Sequence, residues 1–229
     1  MNIREYTSQD RVLLAVDCII FGFDGQQLKA LLIKRGFEPE KDKWSLMGGF
    51  VGQDESTDEA ARRILHQLTG MRDIYMEQLY CFSDVSRDTA GRVVSVAYYS
   101  LINIEEYNEQ LEQDHEARWF PLGVVPDLVF DHTKMMTLAK ERLCKKVSNH
   151  PVGFELLPKK FTLPQLLMLY EAIFGSALDK RNFTRRILSM GFLKKLNEKN
   201  KESSRKGAFY YVFDKKTYSK LEHEGMKFL

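Results

Sequence analysis

The chain has 229 residues and a net charge of +2, with 44% hydrophobic, 12% aromatic and 29% charged residues. That balance fits one large folded domain or two modest ones and excludes a fibre or a disordered polyelectrolyte. No apolar run approaches the ~18 residues a membrane span needs, and the opening MNIREYTSQDR is too polar for a secretory segment, so a cytoplasmic protein with no membrane partner is expected.

The cysteines, Cys18, Cys81 and Cys144, are far apart and sit in apolar segments, which reads as buried structural thiols in a reducing compartment. The small net charge hides a split. Residues 1–149 hold 18 Lys and Arg against 24 Asp and Glu, whereas residues 150–229 hold 16 against 8. A basic C-terminal part is suited to meet a polyanion while the N-terminal part does something else.

LLAVDCIIFGF and LKALLIKR read as a hairpin around Asp24-Gly25-Gln26, with Asp17 the one acid in an apolar strand. Next comes GGFVGQDESTDEAARRILHQLTGM, residues 48–71, in which Ser56 to Glu59 is a capping box. The helix it opens carries Ala60, Ala61, Ile64, Leu65 and Leu68 on one face. IYMEQLYCFSDV and RVVSVAYYSLINI form a second hairpin, ARWFPL a short strand, and Asp131 stands where it can cap a helix from about His132 to Val147. VSNHPVGFELLPKKF, with two prolines and no period, is expected to be a linker.

Beyond it, Thr162 to Gln165 opens a helix stopped at Gly175, and Asp179 caps a second, KRNFTRRILSM. FLKKLNEK and AFYYVFD follow as strands around the turn NKESSRKG. Helix, helix, hairpin is the layout of a winged helix-turn-helix. In the second helix Phe183, Ile187 and Met190 share a core-facing side, and Lys180, Arg181, Asn182, Arg185 and Arg186 are left to face DNA. Lys201, Arg205 and Lys206 on the turn suit phosphate contact. Tyr210 and Tyr211 keep base stacking on RNA open as a weaker reading.

Residues 48–71 resemble the Nudix signature, with Gly49, Glu55, Arg63, Gly70 and Met71 in register. The glutamate that follows the arginine in the family is Ile64 here, and the pair that binds magnesium is Gln67 and Leu68. With Glu55 the one box acid kept, no tight magnesium site is expected, nor any catalytic residue or cofactor. Glu55 and Arg63 are expected to pair as scaffold.

Together with Ala15 to Asp17, Trp44 to Val51, Phe130 to His132 and Asp179 to Arg186, the chain is similar nearly end to end to the Nudix-related transcriptional regulators, the arabinose-responsive and NrtR-type proteins. The resemblance implies an α+β chain. A Nudix-like α/β/α sandwich over residues 1–149 would sense a metabolite, and a winged helix-turn-helix over 150–229 would bind a palindromic double-stranded operator as part of a homodimer. Antagonism between effector and operator is implied as well, through the 147–161 linker.

Two effectors follow from the resemblance, a pentose such as arabinose or ADP-ribose. Finding only Lys43, Arg62 and Arg63 near the box to meet a diphosphate, the sequence favours the sugar, with Asp17, Lys43, Trp44, Phe50, Asp131 and His132 as its contacts. An active hydrolase of nucleoside diphosphates remains the competing class.

Overall fold

β1 (Leu13–Phe23) is buried on both faces from Ala15 onward, and its alternation assigns each face a helix. Val16, Cys18 and Ile20 point to α1 (Thr57–Thr69), while Ile19, Phe21 and Phe23 point to α2 (His132–Asn149). This is the computed structural model's account of residues 9–70, 74–104, 116–150, 153–201 and 207–223.

One edge of β1 runs parallel to β6 (Val93–Asn103) over all eleven residues. Its other edge is shared. β4 (Met47–Phe50) pairs residues 15–18 and β2 (Leu28–Lys34) pairs residues 20–23. β3 (Trp44–Ser45) and β7 (Arg118–Pro121) add to β2, and β5 (Tyr75–Phe82) pairs β6 in the expected hairpin. The first hairpin turns at Gly25, φ +87°, with Asp24 Oδ1 accepting from the Gln26 and Gln27 amides. The short strands β3 and β4 are absent from the sequence expectation, because two glycines and a two-residue strand carry no hydrophobic period.

The expected linker is corrected by the structure. α2 runs on to Asn149, and Phe154 is packed among Phe161, Phe192 and Phe213, stacked on the last at 4.2 Å and 11°. Leu156 and Leu157 are buried beside them. β8 (Phe161–Thr162) is a third strand of the wing sheet, in the order β8, β10 (Ala208–Phe213), β9 (Leu193–Asn200). The apolar residues of this stretch are spaced for an irregular aromatic cluster, which leaves no period to read.

α3 (Leu163–Phe174) starts on the Thr162/Gln165 capping box with Pro164 in its first turn and ends at Gly175, φ +70°. α4 (Lys180–Ser189) is capped by Asp179, which accepts from the Asn182 amide at 2.7 Å. A further helix, α5 (Lys215–His223), follows the wing and was not expected. α3 packs on α2, with the Cys144 thiol donating to the Ile173 carbonyl at 3.2 Å. One hydrophobic core therefore runs from β1 through α2 into α3 and the wing. Among the described residues no helix is long and apolar enough to cross a membrane.

Candidate functional site

Asp17 lies on the α2 face of β1, and Ser95 of β6 lies beside it and donates to its Oδ2 at 2.6 Å. A side chain at residue 48 would collide with the Asp17 carboxylate and the Val16 carbonyl, so Gly48 is what lets the acid fit. Asp17 is buried, and two other groups come to it. Arg87, from the loop between β5 and β6, is 3.4 Å away through one terminal nitrogen. The same guanidinium holds Asp131 with two bonds, of 3.1 and 2.8 Å. His132 places Nε2 3.6 Å from Asp17 Oδ1 and accepts the Leu46 amide on Nδ1 at 3.1 Å, which puts its proton on Nε2. Burial pulls the imidazole pKa below 6.5 in spite of Asp17, so the neutral ring is the resting form.

This cluster floors a cavity that opens between β4 and the end of β2, lined by Asp17, Gly48, Phe50, Arg87, Phe130 and His132 together with Arg35 and Phe37. Arg35 lies over Phe37 at 4.4 Å and over Phe130 at 5.1 Å, and its Nε donates to the Pro39 carbonyl at 2.8 Å. Phe130 is turned onto it by a left-handed backbone, φ +53°, which a bulky residue adopts at a cost the surroundings must meet. Phe37 and Phe50 stand 62% and 54% exposed at the mouth, an amount of bare aromatic surface that suits a flat or apolar ligand face.

Three of the expected effector residues, Asp17, Phe50 and His132, line this cavity, and Asp131 stands behind it on Arg87. Two do not. Lys43 is in the loop before β3 and pairs with Glu40. Trp44 is half-buried on the far side of the sheet edge, edge-on to Phe120 at 4.8 Å between Lys34 and Arg118. Asp131 occupies the N-cap position of α2 but makes no side-chain cap bond, because Arg87 takes its carboxylate. Arg35, Arg87 and Ser95 escaped the sequence reading. Each is an ordinary polar residue in a loop or strand, and pairing such residues requires knowing that β1, β6 and the 83–92 loop converge.

The signature segment forms the loop and helix that the resemblance implies. Ser56 and Glu59 make a complete capping box, and Gly70 ends α1 with φ +67°. Arg63 grips Glu55 through bonds of 2.9 and 2.5 Å and also donates to the Phe50 carbonyl at 3.1 Å. That grip and the Gly52 amide hold the Glu55 carboxyl down to about 2.

The magnesium that Nudix chemistry uses does not fit these residues. Glu55 is committed to Arg63, Gln67 offers a neutral amide that accepts weakly from Arg63 at 3.4 Å, and Asp58 accepts from the Tyr98 hydroxyl at 2.5 Å. Position 68 is a leucine. Among the described residues no three His, Cys, Asp or Glu side chains are grouped to hold a metal.

In the basic part, α4 buries Phe183 and Ile187 and exposes Lys180, Arg181, Asn182, Arg185 and Arg186 along its outer side. Arg185 donates to Asn182 Oδ1 at 2.9 Å, which aligns the two as one polar unit. On the wing Lys201 is exposed, and Lys195 and Lys199 lie over the Phe209 ring at 3.7 and 4.5 Å. Arg205 and Lys206 lie outside the described residues. Of the two tyrosines, Tyr211 is buried and Tyr210 lies under Lys160, so neither is an open stacking platform.

Comparison with known proteins matches residues 12–139 to the NUDIX domain and residues 153–213 to the NrtR DNA-binding winged helix domain. An ADPR responsive transcriptional repressor of Acinetobacter baylyi is 35% identical over 210 residues, 90% of this chain and 84% of the relative. An ADP-ribose pyrophosphatase of Methanocaldococcus jannaschii is 32% identical over 136 residues, 59% of this chain and 77% of its own. The structure of Shewanella oneidensis NrtR complexed with a 27mer DNA matches with a TM-score of 0.82 at 32% identity, covering 90% of this chain and 95% of the other. The NUDIX domain of the same NrtR, complexed with ADP ribose, matches 62% of this chain and 94% of its own, with a TM-score of 0.54 and 34% identity. This chain, a Nudix domain joined to an NrtR winged helix, belongs to the NrtR family of DNA-binding transcriptional regulators.

Proposed function

We propose that the protein is a repressor that binds ADP-ribose in the Nudix cleft without turning it over, and that the ligand loosens its hold on a palindromic operator gripped by a cytoplasmic homodimer. The observation that carries the choice of ligand is Arg35. It is a cation at the cavity mouth that makes no ion pair with any described carboxylate, beside two exposed aromatic rings. A diphosphate needs such a donor, and a purine needs such a face. Phe50 is named among the sequence's effector contacts and Arg35 is not, and the ADP-ribose named for two relatives supports the nucleotide over the pentose. Arabinose is thus the weaker reading.

Lys180, Arg181, Asn182, Arg185 and Arg186 are proposed to read the major groove, with Lys201, Arg205 and Lys206 on phosphates. Calorimetry of the full-length protein against ADP-ribose and a pentose panel tests the ligand. Heat from ADP-ribose alone is expected, and heat from a pentose alone would sink the proposal.

Hydrolysis is the second reading, favoured by the pyrophosphatase relative. Against it stand Gln67 and the committed Glu55. ADP-ribose incubated with the protein and magnesium is expected to stay intact. Turnover at ordinary enzyme rates, lost in Glu55→Gln, would make the protein an enzyme.

A further inference from the structure

We infer that Arg87 is the switch between effector and operator, trading the carboxylate of Asp131 for the ligand's phosphate and so altering the first turn of α2. The inference rests on the ADP-ribose reading above. α2 lacks the cap that its sequence provides. Asp131 is the N-cap of α2 and is among the residue types that best satisfy the free amides of a first turn, yet it makes no side-chain cap bond. Both its oxygens are held by Arg87.

Charge explains why that arrangement does not survive an anionic ligand. In the resting cluster the guanidinium faces two carboxylates, Asp17 and Asp131, and His132 is neutral. Counting Arg35 and Asp88, which also line the cavity, the site holds three carboxylates against two guanidinium groups, and an entering diphosphate adds to that negative excess. One carboxylate must yield. Asp17 cannot, since its side chain is 10% exposed and pinned by Ser95. Asp131 can, since its side chain is 18% exposed and the open amides of its own helix are the nearest place for a displaced carboxylate.

The far end of the same helix touches the DNA-binding domain. Eighteen residues of α2 span about 27 Å. Near the end Leu143 and Val147 are fully buried, the Cys144 thiol donates to the Ile173 carbonyl of α3, and Lys146 bonds the Tyr75 hydroxyl at 2.7 Å and pairs with Glu77. α3 in turn packs on α4. A rotation or shift of α2 set at Asp131 is therefore delivered to the helix that faces DNA, through a packed element with two alternative sets of end contacts.

The test compares the wild type with Asp131→Asn, using ADP-ribose as ligand and a duplex selected by the full-length protein from a random pool. The neutral side chain keeps its ability to cap but loosens its hold on Arg87. The wild type should lose operator affinity on saturation with ADP-ribose by a factor within the usual range of about 5 to 150. Asp131→Asn should bind ADP-ribose tighter, bind the duplex more weakly without ligand, and respond to ligand by less than about twofold. An Asp131→Asn protein that keeps the full wild-type response overturns the switch.

Hydrogen exchange on the wild type decides independently of that variant's folding. The Thr133 and Lys134 amides should gain protection when ADP-ribose binds, and unchanged exchange at both also overturns it. If the wild type binds no ADP-ribose at all, it is the functional reading that fails.

Discussion

Replacing Arg87 by methionine keeps most of the side-chain stem and removes the charge that joins β1 to the start of α2. The cost can be apportioned between the two acids it leaves behind. Asp131 is part-exposed and can turn to the helix amides or to water, so its share is small. Asp17 is buried and keeps only the Ser95 hydroxyl and the distant His132 nitrogen. Removing one member of a buried pair costs about 3–5 kcal/mol, and the surviving Ser95 bond places this case near the lower end, about 3 kcal/mol. Urea unfolding at neutral pH measures it, read from the midpoint at constant slope. The companion double variant, Arg87→Met with Asp17→Asn, removes the orphaned charge and should recover on the order of 2 kcal/mol. A single variant that costs less than about 1 kcal/mol, or a double variant no more stable than the single, would refute the picture of Asp17 as a buried charge held by Arg87.

His132 gives a pH signature. Its folded pKa lies below the unfolded 6.5, so the unfolded chain takes up the proton first; stability is complete above 6.5 and declines as pH falls from there toward the folded value. Urea midpoints at about pH 7.5 and about pH 5.5 should differ for the wild type and differ less for His132→Gln. Arg35→Met should weaken ADP-ribose by about tenfold or more, as expected for one charge-assisted contact, and leave the melting temperature nearly unchanged. Calorimetry and a thermal scan check both halves. Arg185→Ala should cost about 1–3 kcal/mol on the preferred duplex and blur its specificity, whereas Lys201→Ala should weaken all duplexes alike and reduce the salt slope by about one. Anisotropy titrations against selected and random DNA at several salt concentrations separate the two outcomes.

What could be read from the sequence was whatever repeats locally. Capping boxes at Ser56 and Thr162, the stop at Gly175, and the buried stripe Phe183 and Ile187 all announce themselves within a turn or two of chain. Asp17 stood out as a lone acid in an apolar strand, and its place beside His132 in a cavity follows from the sheet. The partner that joins Asp17 to Asp131 is Arg87, 70 residues from one and 44 from the other, in a loop whose composition resembles any surface turn. Asp131 illustrates the converse. Its local sequence offers a cap, and a distant arginine overrides it. Phe154 and Phe161 looked like linker residues because irregular aromatic packing has no period to detect.

The hydrophobic core that continues from β1 through α2 into α3 and the wing bears on how this protein could be cut or recombined. Severing the chain after residue 149 would bare Leu143 and Val147 on one fragment and Leu169 and Ile173 on the other, apolar surface that each half would then carry into water. A chimera that places this DNA reader behind a foreign sensor must import a matching apolar face for α3. By the same reasoning the full chain should melt in a single transition, with sensor and reader losing structure together.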